Sequence, residues 1–512
     1  MTRCRRGVVL IIVLVVVVVL SLAAYTFSDL MLTHNEASQL NGRSLQAREV
    51  VASGAEWVRT FLMLDDETII EAGGIYNNPQ QFQAIPVVQD IEEDFRANFT
   101  LVAPALDDEG NLAGVRYGLQ DESTRLNVNA LLALEDQQTG AGRQLLLALP
   151  GMTEDVADAI LDWLDEDDDP RDYGAEAEYY STMQPPYGPK NGPLDTVEEL
   201  LLVRGVTPRL LFGMDVNRNG MIDNYELQST ELAEDATTTT EFTEFGWASL
   251  LTLHGAEWNA NSLGEPRIDL NDEDLKQLYA DLTAVFDDEW AKFIVAYRQG
   301  GAYTGSDPVD SSAGRELNFD LPAQSNITQV LELIGAKTQV TFAGASSPTV
   351  LASPFDTGIV AMNVYLPILL NQVSVNPAPT IPGRININQA PRVMLEGIPG
   401  MTTELLDTIL KSRPVEPVVE NLNFGYETWL LTEGLVTLEQ MRALSPFVCA
   451  GGDVYRAQIV GYYEGGMASS RAEIIFAATG TAPRVLSWRD VSHLGRGYAI
   501  ETLGVQMVGE EM

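Results

Sequence analysis

Arg3-Cys4-Arg5-Arg6-Gly7, followed by Val8-Val9-Leu10-Ile11-Ile12-Val13-Leu14-Val15-Val16-Val17-Val18-Val19-Leu20, decides how this chain is read. The apolar run continues through Leu22, Ala23, Ala24 and Tyr25 to Phe27, broken only by Ser21 and Thr26. Val8–Phe27 is twenty residues long, and a helix of that length spans roughly 30 Å, one bilayer core. Arginines precede the run, and Asp29 and Glu36 are the first charges after it. The positive-inside rule then puts the N-terminus in the cytoplasm and the bulk of the chain outside.

Three kinds of segment fit this text. A cleaved signal peptide would use Ser21-Leu22-Ala23-Ala24 as its site. A plain signal anchor would stay uncut. The third reading comes from the residues beyond Phe27. Up to Leu64 only Asn41-Gly42 and Gly54 interrupt the chain, and Leu40, Ala47, Val51, Ala55, Val58 and Leu62 recur at helical spacing. The spacing predicts one helix over 8–64, apolar first and amphipathic second, with Asp65-Asp66 at its end. Such a helix behind a short basic leader ending in glycine resembles the type IV pilins and pseudopilins. The resemblance makes residues 1–7 a leader, cut between Gly7 and Val8 by a prepilin peptidase, with an N-methyl group added to Val8. Most members carry Glu at the fifth mature position, where this chain has Ile12.

Going outward, the 512 residues allow two to four domains, and 45% apolar content suffices for ordinary cores. The net charge of −42 is spread along the chain. It repels nucleic acid phosphates and anionic headgroups, and it suits an extracytoplasmic surface and divalent cations. Cys4 and Cys449 lie on opposite sides of the predicted membrane segment, so no intramolecular disulfide is expected. His34, His254 and His493 are too few and too scattered for a zinc site. The text contains no Ser/His/Asp set with usable spacing, no G-x-G-x-x-G and no P-loop, so no enzyme is predicted.

Past Leu64, Phe95–Val102 and Val115–Gln120 read as strands, joined by the turn chemistry of Asp107-Asp108-Glu109-Gly110-Asn111. Residues 65–124 are thus the first part of a sheet. Helical text then takes over. Arg125-Leu126-Asn127-Val128-Asn129 leads to Pro150-Gly151-Met152-Thr153, with Thr153 as N-cap of a helix over Glu154–Leu164. Arg384-Ile385-Asn386-Ile387-Asn388 leads likewise to Pro399-Gly400-Met401-Thr402, and Arg267-Ile268-Asp269-Leu270-Asn271 is a fainter echo. An internal duplication resembling helix-hairpin-helix units therefore builds residues 125–448, enlarged at 230–380. The acidic turn flanks favour packing over DNA binding, and the Asn-x-Asn pairs are expected to hold backbone. Residues 300–326 read as a loop, and residues 338–380 resist placement. Tyr455–Tyr463, Arg471–Ala478 and Pro483–Trp488 are strands, so residues 449–512 complete the sheet. The fold class is α+β: a pilin-like long helix and antiparallel sheet, with a large helical domain inserted in the sheet.

The most specific local signal is Asp215-Val216-Asn217-Arg218-Asn219-Gly220-Met221-Ile222-Asp223-Asn224-Tyr225-Glu226. It satisfies the EF-hand loop pattern at every defined position. Asp215, Asn217 and Asn219 supply side-chain oxygens, Met221 its carbonyl, Asp223 a direct or water-mediated contact, and Glu226 a bidentate carboxylate for Ca2+. A second loop places Asp165, Asp167, Asp169 and Glu176 at positions one, three, five and twelve, but Pro170 replaces the glycine.

One family gathers these features. Ile160-Leu161-Asp162-Trp163-Leu164-Asp165-x-Asp167, Gly174-Ala175-Glu176, Tyr180, Asn191-x-Pro193-Leu194 and Glu198-Glu199-Leu200 resemble the type II secretion system protein K family. Asp121 to Asn129 is similar to its entry into the helical domain, and the absent glutamate at Ile12 agrees. The similarity covers about residues 1–230 and 384–512. It implies a minor pseudopilin at the tip of a periplasmic pseudopilus, single-pass in the inner membrane. The implied partners are I- and J-type minor pseudopilins, the major pseudopilin and the prepilin peptidase. The other reading is a membrane-anchored calcium-binding or helix-hairpin-helix module unrelated to a pilus.

Overall fold

The computed structural model describes residues 6–231, 245–414, 422–466 and 468–505. Most of the expected leader, with Cys4, and part of the enlarged insertion lie outside the described residues. The chain starts as one helix, α1 (Arg6–Phe61), with Gly7 and Val8 in its first turn. Val9 to Leu20 are exposed, whereas Ala47, Val50, Val51, Ala55, Val58 and Phe61 are buried. Among the described residues α1 alone is long and apolar enough to cross a membrane. Leu40, which the periodicity placed on the packed stripe, is exposed, because the sheet begins to cover α1 only near Ala47. Asp65 closes the region by capping a short helix, Asp66–Glu71, its Oδ1 accepting from Thr68 N at 2.9 Å.

The sheet is built from both ends of the chain. Its strands are β1 (Ile85–Val88), β2 (Ala97–Leu106), β3 (Leu112–Arg116), β4 (Gln120–Asp121), β5 (Val454–Tyr463), β6 (Ser469–Ala477) and β7 (Arg484–Asp490). They run β1-β2-β5-β6-β7, with β3 added to β2 and β4 to β5. All pairs are antiparallel, and Phe99 faces Gly461 across the β2–β5 ladder. The strand expected over Val115–Gln120 is split. The chain there turns past Ile75, whose carbonyl accepts from Leu119 N at 2.8 Å, and a Cβ at Gly118 would lie 2.3 Å from that oxygen. Phe95 sits in a 3-10 turn ahead of β2 instead of in the strand.

Between β4 and β5 lies the helical region, including α2 (Glu154–Leu164), α3 (Ile359–Gln372) and α4 (Leu438–Leu444). Thr153 precedes α2, but its hydroxyl bonds the Asp155 carboxylate at 2.5 Å in place of a backbone amide. The hairpin Lys337–Val340 with Thr349–Ala352, followed by α3, fills the stretch the sequence left unplaced. Residues 302–326 contain no helix or ladder beyond a bridge from Val309 to Val350, but they are pinned down: Arg298 O accepts from Gln324 N and Gln299 Nε2 donates to Asn318 O, each at 2.8 Å.

Three copies of one unit build this region. Each opens on a two-residue strand that pairs in parallel with a strand closing the same unit: Leu126-Asn127 with Leu251-Thr252, Ile268-Asp269 with Val373-Ser374, Ile385-Asn386 with Val448-Cys449. In each, the first Asn or Asp accepts from the backbone of the Asn two residues on, at 3.1, 2.9 and 2.9 Å. That second Asn donates from Nδ2 to a distant carbonyl: Leu194, Ile327 or Phe424. The faint middle echo is therefore a full structural copy within the enlarged insertion. One core runs through the three copies, around Trp163, Trp247, Phe355 and Trp429. A separate core joins α1 to the sheet through Val51, Phe99, Leu101, Ile459, Ile474 and Phe476. Cys449 is a free, buried thiol in the third closing strand.

Candidate calcium loops at the domain junction

The loop 215–226 runs from a short helix, Pro208–Phe212, into a helix starting at Asn224. Its backbone curls as the pattern demands, with Gly220 at φ 75° and Arg218, unusually for a non-glycine, at φ 56°. Asp215 accepts from Asn219 N at 3.0 Å and from Gly220 N at 2.9 Å. Glu226 accepts from Asn217 N at 3.2 Å and Asp223 N at 2.9 Å. Asp223 Oδ2 accepts from the amides of Asn217 and Asn219 at 2.7 and 3.0 Å. Asp215, Asn217, Asn219 and Glu226 are all buried. Burial pushes the Asp215 carboxyl up to about 6, Glu226 adding repulsion against the amide hydrogen bonds. Asn217 Oδ1 is buried without a hydrogen-bond partner, a costly arrangement that a cation would relieve.

The loop also clasps the sheet. Gln458 Nε2 on β5 donates to Arg218 O at 2.8 Å, Tyr498 Oη donates to Asn219 O at 2.9 Å, and Arg471 Nη2 on β6 donates to Asn217 O. Carbonyls of the loop are thereby oriented by residues more than 200 positions away.

The second acidic stretch departs from the spacing read in the sequence. Asp165 is brought beside Glu176, but Asp167 and Asp169 are exposed, and Asp167 Oδ1 accepts from Asp169 N at 2.9 Å. Pro170 explains the departure, since its fixed φ and missing N–H exclude the ordinary loop. Arg171 is drawn in, pairing with Asp162 at 2.8 Å and with Asp165. Four buried oxygens there lack hydrogen-bond partners: Asp165 Oδ1, both carboxylate oxygens of Glu176, and Asn191 Oδ1. Burial pushes Glu176 up to about 7, with repulsion from Asp162 and Asp165 adding to it. Asp162 lies beside Glu176, and Asn191 Nδ2 donates to Asp167 O at 3.0 Å, although the loop pattern included neither residue. Among the described residues no three His, Cys, Asp or Glu side chains gather into a metal site by themselves, so amide and carbonyl oxygens must complete either set.

Next to the first loop the helical region meets the sheet through buried ions. Glu122 accepts from Arg456 at 2.5 Å, and Arg456 also pairs with Glu473 at 2.8 Å. Burial opposes the charge of Glu122, but Arg456 and Arg125 hold its carboxyl down at about 2. Asp121 Oδ2 accepts from Gly452 N at 2.7 Å and Asn386 Nδ2 at 2.8 Å, tying the third copy to the sheet.

Fold and site define a class: a long, partly apolar helix packed on an antiparallel sheet that carries an inserted helical domain. Within that domain, residues 124–213 match the family model "Type II secretion system (T2SS), protein K". Over 113 residues, 20% of this chain, it is 30% identical to the "Putative type II secretion system protein K" of Escherichia coli (strain K12). The match spans about a third of that relative's length, 34%. A solved structure, the GspK-GspI-GspJ complex from the enterotoxigenic Escherichia coli Type 2 Secretion System, overlaps 90% of this chain and 98% of its own at 12% identity. The TM-score is 0.35.

Proposed function

We propose that the protein is a minor pseudopilin of a type II secretion system, the tip subunit that starts and limits the pseudopilus and so serves export of folded proteins. The observation that carries this reading is the protein K domain at 124–213, set in a helical region inserted between strands that pack on a membrane-length helix. The bulk of three copies on one end of the sheet would bar a further subunit above it. Ile12 in place of the usual glutamate fits a subunit that need not neutralise a neighbour's N-terminal amine above it. The partners would be I- and J-type minor pseudopilins and the major pseudopilin, with the helix in the inner membrane and the bulk in the periplasm. Ca2+ would sit in the loop of Asp215, Asn217, Asn219, Met221, Asp223 and Glu226, and a second ion at Asp165, Glu176 and Asn191.

The test is the mature N-terminus, by mass spectrometry of protein from its native membrane. A chain beginning at N-methylated Val8, co-purifying with other short-leader, long-helix proteins, is expected. A chain beginning at Met1 would return the protein to a plain anchored module, and one beginning after Ala24 would remove the membrane helix from the account.

A further inference from the structure

The middle copy bears a surface that its sister copies lack. In each copy a helix or turn leads into the closing strand. In the third copy this is α4, whose exposed positions are Glu439, Gln440 and Ala443. In the first it is the 3-10 turn Trp247–Ser249, none of whose residues is exposed. In the middle copy it is α3, which contains no charged residue, and its exposed positions are Ile359, Val360, Val364 and Ile368. The fold does not require apolar groups there, since two versions of the same unit do without them.

Val360, Val364 and Ile368 recur at i, i+4 and i+8, a ridge about 12 Å long. They are 83%, 67% and 50% exposed. Ser262 N donates to Asn371 Oδ1 at 2.9 Å at the far end of the ridge, which sets Leu263, 79% exposed, as its continuation. A contiguous ridge of this kind, unlike scattered single residues, marks an interaction site.

The rim is acidic. Asp356 bonds Gly358 N at the start of α3; Glu433 precedes Gly434, where an added Cβ would lie 3.9 Å from Ile359 Cδ1. At the other end Glu265 bonds Asn261, which in turn bonds Gln372. With a net charge of −42, a second copy of the chain is repelled. We propose that this face of α3, Val360, Val364 and Ile368 continued by Leu263, docks an amphipathic helix with basic flanks carried by another protein. The partner's aliphatic residues at i and i+4 pack on the ridge, and its Lys or Arg residues meet Asp356, Glu433 and Glu265.

The experiment uses the full chain in nanodiscs of zwitterionic lipid with saturating Ca2+. The probe is a dye-labelled 18-residue synthetic helix with Leu on one face and Lys on the other, followed by fluorescence anisotropy. The double variant V364E/I368E adds negative charge at exposed helical positions, so it strengthens a purely electrostatic association and weakens an apolar one. Binding by the wild type, weakened about tenfold or more in the variant with an unchanged melting midpoint, is the expected result. No binding by the wild type, or equal or tighter binding by the variant, overturns the proposal. So does a dimer of the wild type in light scattering that the variant abolishes, because the occupant is then a second copy.

Discussion

Asp453, at the foot of β5, accepts from Trp258 N at 2.6 Å and is surrounded by acid. Burial, with Glu257, Asp121 and Asp66 adding repulsion, pushes its carboxyl up to about 7 despite that hydrogen bond. A folded-state value above the ordinary 3.8 means the protonated form is favoured by folding. Its contribution is complete below the ordinary value and is lost as pH rises through about 7. D453N keeps an acceptor for Trp258 and cannot ionise. Its stability relative to wild type is expected to rise steadily between pH 4 and pH 8, by on the order of a few kcal/mol in all; the same difference in midpoint at both pH values would contradict this. Glu226 makes a second residue-scale test. Stripped by a chelator and refilled with Ca2+, the wild type is expected to melt several degrees higher, at about 2–4 °C per kcal/mol, and E226Q to lose that response. The first loop was legible in the sequence because its donors lie within twelve residues of each other, where spacing alone sets geometry. The second was half legible. Asp165 and Glu176 could be named, but Asn191 joins the stretch, through Asp167 O, only in the fold, and Pro170 gave the one warning that the spacing would not hold.

Elements meet where a side chain is missing. A Cβ on Gly461 in β5 would lie 2.6 Å from Ala47 O, and one on Gly54 in α1 would lie 2.8 Å from Ile459 Cγ2. The helix and sheet therefore approach closely through two glycines, one from each. Valine suits a strand intrinsically, so any loss in G461V reports the contact with α1. It is expected to destabilise the α1–sheet unit by about 1–3 kcal/mol, read by denaturant unfolding, and a neutral outcome would mean α1 has room to shift. Gly54 looked like an interruption in the sequence, since a one-dimensional pattern cannot distinguish a break from a close approach. The long helix and the last three strands were readable because their periodicity is uninterrupted over many residues. The middle copy was nearly invisible: Asp269 stands where its sisters have Asn, and its P-G-M-T turn is absent. The side chains kept are those that hold the ladder, an Asx acceptor and a bridging Asn, and such short signatures emerge only when the strands they join are seen paired.

At the scale of the molecule, two cores must stay in register. The core of α1 and the sheet and the core of the three copies share few apolar residues; Val454, Ile475 and Ala477 form a small patch between them with Ala256. What joins them is polar: Arg456 with Glu122, Asp121 with Asn386, and the loop 215–226 held by Gln458, Arg471 and Tyr498. In a chain of net charge −42 every acidic surface brought to such a junction carries a repulsive cost. Ca2+ in the loop would cancel part of that repulsion while stiffening the carbonyls of Asn217, Arg218 and Asn219 that the sheet grips. The ion would then act as a coupling between domains as well as a local brace. Scanning calorimetry on chelator-treated protein is therefore expected to resolve two transitions, one for each core, that merge into a single one at saturating Ca2+. Y498F, which removes one grip without touching a ligand side chain, should leave Ca2+ binding in place yet keep the transitions apart. A single transition in both conditions would mean that the buried ion pairs of Glu122 and Asp121 hold the domains together without the loop.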